Sequence, residues 1–462
     1  MAGPAIRTLE LARTLSQHCE VTIAAPGPSD VGEVPVALLE TGLLEFEPLL
    51  AALRRHDVVV AQRLPPQLLM YVARLPIRLV ADLYNPQMIE VLEAGGDRSS
   101  WRRSRRSVLG QLAVADLVLC ASEKQRDLWL GAMAVEGLVD PDRYRADPTF
   151  RRYIDVVPFG VPEREPAAAE PVMKGVWTGI EPEDRVLLWA GGIWRWLDAL
   201  TPIRALERLR AEGRRVHLVF LGTERPAVQP GGIPTTAEQA IAFARERGLE
   251  GNGVHFNRGW VPYSERGAFL QEADIGVSAH PDHLEARFSF RTRVLDHLWA
   301  GLPSVVSRGD AVGDSVERQG LGHAVAPGDD AGFAAACAGL LDDDAAHAVA
   351  SERALDAARS LRWSEVARPL VEFCLSHPEL PRPQPSRVLL GRATLAQYPD
   401  VLRAVLRDRG LGELARRVPR HLGRALRPVS PGRRRGLGCA IAWLSLRIRR
   451  RRWCLDRGRA GR

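Results

Sequence analysis

Between residues 273 and 307 the chain reads ADIGVSAHPDHLEARFSFRTRVLDHLWAGLPSVVS. It passes from a β-branched run through a polar loop into a helical stretch, then through Gly-Leu-Pro into a second apolar run. A helix starting near Phe290 leaves its first backbone N–H groups without partners inside the helix, and such groups hold diphosphates. Arg291 and Arg293 fall in that first turn. A cation is badly placed for the helix dipole there, and a bound anion accounts for it. Thr292 and Asp296 are four residues apart and share a face. Asp296 lies one turn deeper, within reach of a ribose. The chemistry these types imply is the holding of a nucleoside diphosphate. His280 and His283 form an HPDH pair in the loop. Two histidines without further ligands make a polar loop rather than a metal site, so no metal and no other cofactor is expected.

Three further places carry candidate residues. In VLLWAGGIWRWLDAL, Gly191 and Gly192 follow an apolar run, and Trp194 comes just after them, either in a core or lining a cleft. In MAGPAIRTLELARTL, Gly3 and Pro4 lead into an amphipathic helix, the usual second half of a strand–turn–helix unit that holds a phosphate or a sugar. In LVADLYNP, Asp82 ends a β-branched run, where it serves as a helix cap or as a ligand contact.

These residues need a scaffold that brings strand ends together. Short β-branched runs alternate with helical stretches along most of the chain, and the pattern occurs twice. The expected fold class is therefore α/β, with two doubly wound parallel sheets whose strand ends face a shared cleft. The Pro- and Ala-rich FGVPEREPAAAEPVMKG separates the copies. It divides an N-terminal doubly wound domain, 1–165, from a C-terminal one, 166–360. A returning amphipathic helix covers 361–378 and a basic tail 379–462. The first strand in the chain, Val21–Ala25, comes after the first helix. A doubly wound sheet needs an earlier, central strand, so either the sheet closes up with a changed strand order or a strand is missing ahead of Gly3; the second is the expectation here, with Met1 not the natural start.

The charge is split. After residue 380 there are 22 Arg and no Lys against four acids, although the whole chain carries only +7. The body is thus acidic and the tail strongly basic. An apolar run, Gly436–Leu446, lies between arginine clusters and is too short to span a bilayer. It suits a helix on an anionic membrane surface. The body has no interleaved aromatic and basic residues, which disfavours nucleic acid as a partner. Six scattered cysteines, with no CxxC pair, argue against a disulfide framework and fit a reducing cytosol. No signal-peptide pattern is found. The expected location is cytoplasmic, peripheral on the inner face of the membrane.

In the order of its motifs, over residues 1 to 378, the chain resembles glycosyltransferase family 4, the retaining GT-B enzymes. The family's acidic helix motif ends in Gly-Leu-Pro. Asp296, five residues before Gly301, stands where its second Glu belongs, and Phe288 stands in place of the first. Glu285 is the nearest acid. VLLWAGG matches the glycine turn of the donor domain, GPAIR the glycine loop after the first strand, and IDVVPFGVP the hinge. LVADLYNP matches a His-Asp site, with Ala81 at the His position and Asp82 retained. The resemblance implies a retaining hexosyltransferase that moves a sugar from a nucleotide-sugar donor to a lipid-linked or cell-surface glycan. Asp82 and Glu285 would be catalytic. Gly191, Gly192, Trp194, Phe290, Arg291, Thr292, Arg293 and Asp296 would bind the donor, and Gly3 and Pro4 would form the acceptor-side loop. Two alternatives remain open: a nucleotide-sugar epimerase of the same fold, and a catalytically lapsed membrane or nucleic-acid adaptor.

Overall fold

The computed structural model of the chain describes residues 3–26, 34–41, 46–167, 170–223, 236–259, 261–376 and 444–447. Thirteen strands run in chain order among them. They are β1 Glu20–Pro26, β2 Ala37–Thr41, β3 Val58–Ala61, β4 Arg78–Asp82, β5 Leu117–Cys120, β6 Ile154–Val156 and β7 Arg185–Gly192. The rest are β8 Val216–Gly222, β9 Val254–Phe256, β10 Ile275–Ser278, β11 Ser304–Ser307, β12 Gly322–Val325 and β13 Leu444–Arg447. The first twelve overlap the β-branched runs of the sequence. Helices fill most of the intervals, among them Gly3–Ser16, Leu200–Ala211, Arg266–Glu272 and Thr292–Trp299. The chain forms two compact units. One holds residues 1–7, 83–105 and 119–368, and the other 8–82, 106–118 and 369–462.

The first unit contains a six-stranded sheet in the order β12-β11-β10-β7-β8-β9, with every pairing parallel. Its strands are buried on both faces and read as continuous apolar runs, such as VHLVFLG in β8, where every residue is buried. Trp189 of β7 and Phe220 of β8 anchor the core, with ring centres 5.4 Å apart. The strand order reverses between β7 and β10. In a doubly wound sheet the crevice outside the strand ends at that point is where ligands bind. All six strands fall inside 166–360. Beyond them the returning segment forms two short helices, Trp363–Val366 and Arg368–Ser376.

In the second unit the strands run in the order β2-β1-β13-β3-β4. The pairs β1–β2 and β3–β4 are parallel, and β13 is antiparallel to both of its neighbours. The place between β1 and β3 that the sequence reading gives to a strand ahead of Gly3 is held by β13, running the opposite way. Thr22 and Val59 both pair with Ser445. The physical reason is the backbone. β3 is buried at every position, so an empty slot beside it would leave peptide groups without partners. Apart from β13, the basic tail of the sequence reading lies outside the described residues.

Candidate functional site

The site starts from the end of β7. The pairing of β7 with β8 shifts register between Trp189 and Gly192, and Gly191 takes φ +145°, a conformation that favours glycine. A side chain on Gly222, at the end of β8, would meet the Gly191 backbone at 3.1 Å. Small residues at these strand ends open a cavity of about 200 Å³ within the first unit. The helix Thr292–Trp299 supplies one wall through Thr292, Arg293 and Asp296. That helix has no side-chain cap on its first N–H groups. Gly3, Gly192 and Trp194 line the same cavity, with the Trp194 and Trp196 rings stacked 5.8 Å apart.

Arg293 brings a buried guanidinium to the wall of this cavity. Its Nη2 donates to the Gly192 carbonyl at 2.8 Å, and its guanidinium carbon lies 4.6 Å from the centre of the Trp189 ring. Nη1 is buried and has no hydrogen-bond partner among the described residues. Burial, and then the Arg291 charge, pull its pKa down to about 9. That is still above neutral pH, so the group keeps its charge. A buried charged donor without an acceptor is costly unless an anion completes it.

Asp296 is the only carboxylate among the described residues that line the cavity. Its Oδ1 accepts from Arg266 Nε at 2.9 Å. Arg266 opens the helix Arg266–Glu272, and its Nη1 donates to the Tyr263 carbonyl. Tyr263, Arg266 and Leu270 all face the cavity, and sequence reading placed none of them there. The available signal was position: VPYSERGAFL follows β9 and leads into a helix, in the same strand–loop–helix setting as the other candidates.

Arg291 does not line the cavity. It is buried, with its Nη1 and Nη2 donating to Glu285 at 3.2 and 2.7 Å and its Nε 3.8 Å from Asp310. The expectation that Arg291 reaches the donor phosphates is therefore corrected: its donors are turned to two carboxylates. Glu285 is 1% exposed and also lies off the cavity. Both of its oxygens are held by Arg291, so the geometry gives it a structural part, not the catalytic one expected. Phe290 and Pro4 likewise fall outside the lining. Asp82 is buried at the end of β4, in the second unit.

The two loop histidines have separate partners. His280 Nε2 lies 3.1 Å from Asp310, while His283 Nδ1 accepts from the Ala286 N–H at 3.0 Å and caps the short helix that follows. Among the described residues, no group of three His, Cys, Asp or Glu side chains is placed to hold a metal ion.

Residues 184–343 match the family model described as glycosyl transferases group 1. No curated protein matches the chain. The fold is similar to that of three solved structures. The sucrose-phosphate synthase of Thermosynechococcus elongatus has 14% identity and a TM-score of 0.55 over 82% of this chain and 94% of its own. Anabaena HepE, solved with UDP-glucose, has 14% identity and a TM-score of 0.60 over 82% and 97%. WaaG, a glycosyltransferase involved in lipopolysaccharide biosynthesis, has 16% identity and a TM-score of 0.55 over 81% and 96%. The fold is GT-B, two Rossmann-like domains. With the group 1 model over the segment that builds most of the cavity, the chain is a glycosyltransferase.

Proposed function

We propose that the protein is a retaining enzyme of glycosyltransferase family 4 that takes a sugar from a nucleoside diphosphate sugar. The observation that carries this reading is Arg293. Its charged guanidinium has a buried Nη1 without a partner among the described residues, and it sits beside the uncapped first turn of Thr292–Trp299 and the Gly191–Gly192 edge. That set of donors suits a diphosphate, and Asp296, one turn on, suits ribose hydroxyls. As charge grows on the departing diphosphate, donors already in place stabilise it without reorganising.

The bond from the anomeric carbon to the β-phosphate oxygen breaks, and the acceptor oxygen bonds to that carbon on the same face. The acceptor's proton passes to an oxygen of the leaving diphosphate. This route asks no side chain to act as a base, which fits a cavity whose single carboxylate among the described residues is already paired to an arginine. No metal is assigned a role.

The acceptor is a lipid-linked or cell-surface glycan. Support comes from the arginine-rich tail, whose charge suits attachment to the inner face of an anionic membrane. The involvement of WaaG in lipopolysaccharide biosynthesis points the same way. No helix among the described residues is long and apolar enough to cross a membrane.

A thermal-shift series with UDP, GDP and their sugars tests the donor, with UDP-glucose first because HepE was solved with it. A nucleotide-dependent rise in melting temperature, followed by NMR of product with the donor's anomeric configuration, is the expected result. No shift with any nucleotide sinks the reading, and an inverted product sinks its retaining part.

A further inference from the structure

Arg266 is built into the cavity wall by several contacts at once. Its guanidinium carbon lies 3.6 Å from the centre of the Tyr263 ring and 4.5 Å from that of Trp299. Its Nη1 is tied to the Tyr263 carbonyl. The side chain is only 12% exposed. Held in this way against two rings, the guanidinium presents its Nε in one direction, and there it meets Oδ1 of Asp296. Oδ2 of Asp296 accepts no hydrogen bond among the described residues, and Asp296 still lines the cavity.

From this geometry we propose that Arg266 is a positioning residue for ribose recognition. It holds Asp296 in one rotamer, so that Oδ2 is presented to the ribose diol of the bound nucleotide. The inference rests on the donor reading above and adds the residue that makes Asp296 selective. An aspartate has one rotatable bond fewer than a glutamate but a shorter reach, so its orientation decides whether it meets both hydroxyls. A rigid arginine fork fixes that orientation at small entropic cost. A carboxylate accepting from two hydroxyls would favour a ribose over a deoxygenated sugar by about tenfold or more.

The test compares binding of UDP with 2′,3′-dideoxy-UDP by calorimetry, or GDP with its dideoxy form if the protein takes guanine. Wild type is expected to favour the ribose form about tenfold or more. In Arg266→Gln, which keeps a planar group against the rings but removes the charge, the ratio should fall below about threefold. Arg266→Lys keeps the charge and should retain a ratio between the two. Asp296→Asn should abolish discrimination, and the double variant Arg266→Gln/Asp296→Asn should show no further loss. A purely structural Arg266 would lower affinity for both nucleotides alike and leave the ratio unchanged, which would overturn the proposal. If Arg266→Gln does not fold, the Arg266→Lys ratio decides: equality with wild type overturns the proposal. If wild type binds neither UDP nor GDP, the donor reading itself fails. Binding with no ribose preference in wild type rejects the role of Arg266 and leaves the donor reading standing.

Discussion

Arg293 spans the gap between a helix start and a strand end, with its Nη2 donating to the Gly192 carbonyl at 2.8 Å and its Nη1 buried without a partner among the described residues. The strand supplies an acceptor for Nη2 and none for Nη1. Removing this side chain should therefore cost most with ligands that carry phosphates. Arg293→Ala is expected to weaken UDP binding by about 1.5–3 kcal/mol while leaving uridine binding nearly unchanged. Calorimetry with the two ligands checks it. Equal losses for both would show that Arg293 does not touch the diphosphate.

Glu285 and Arg291 make the opposite prediction. Both are buried and bound to each other through two hydrogen bonds. Glu285→Gln would leave a guanidinium charge only partly compensated, by Asp310 at 3.8 Å. Breaking a buried pair from one side costs roughly 3–5 kcal/mol. A melting temperature well below wild type, with turnover per folded molecule retained, is the expected result. Normal melting with turnover abolished would instead return Glu285 to the chemistry.

Acid should destabilise the first unit through a chain of three buried side chains. Asp184 lies 3.0 Å from Nε2 of His217, whose Nδ1 is 3.0 Å from Nε2 of His255. Burial, then the neighbouring His217, depress the His255 pKa to about 4, against about 6.5 for an unstructured histidine. A folded pKa below the unfolded one means that unfolding takes up a proton. Stability is then intact above about pH 6.5 and is lost as pH falls toward about 4, by roughly 3 kcal/mol at most. Thermal melts from neutral pH down to the folded pKa should show the fall, and His255→Asn should flatten it. An unchanged pH slope in that variant would clear His255 of the effect.

Much of the fold was legible because its period is simple. Buried parallel strands are continuous apolar runs, and β7, Arg185–Gly192, contains the VLLWAGG run of the sequence reading. The glycines at its end and Asp296, which line the cavity, were picked out by turn chemistry and helical spacing, both of them local signals. Arg291 was misread because spacing places a residue on a helix start but does not give the direction of its side chain. A carboxylate six residues back, Glu285, captured it. Arg266 was missed because its meaning depends on Asp296, 30 residues away in sequence, and on two rings that only the fold assembles. β13 was not foreseen as a strand because antiparallel insertion between two parallel pairs is set by tertiary need and not by the run of apolar residues.

That insertion makes the last prediction. Ser445 pairs with Thr22 on one side and Val59 on the other, so β13 sits inside the sheet and not at its rim. Proline there removes a backbone donor from the ladder and strains the strand. Ser445→Pro should lower stability by roughly 1–3 kcal/mol, the cost of a buried peptide group left without its partner. The same change on an exposed or unstructured tail would cost almost nothing. Denaturant melts of wild type and Ser445→Pro decide between them, with Ser445→Ala as the control for losing the hydroxyl. Anionic liposomes add a second readout, since the strand lies within the basic tail proposed to meet the membrane. If β13 stays in the sheet, liposome binding at low salt should be carried by the arginines around it and should leave the melting curve in place. If vesicles instead bring wild type down to the stability of Ser445→Pro, the membrane competes with the sheet for this strand. Identical melts for wild type and Ser445→Pro, with and without vesicles, would show that β13 does not hold β1 and β3 together.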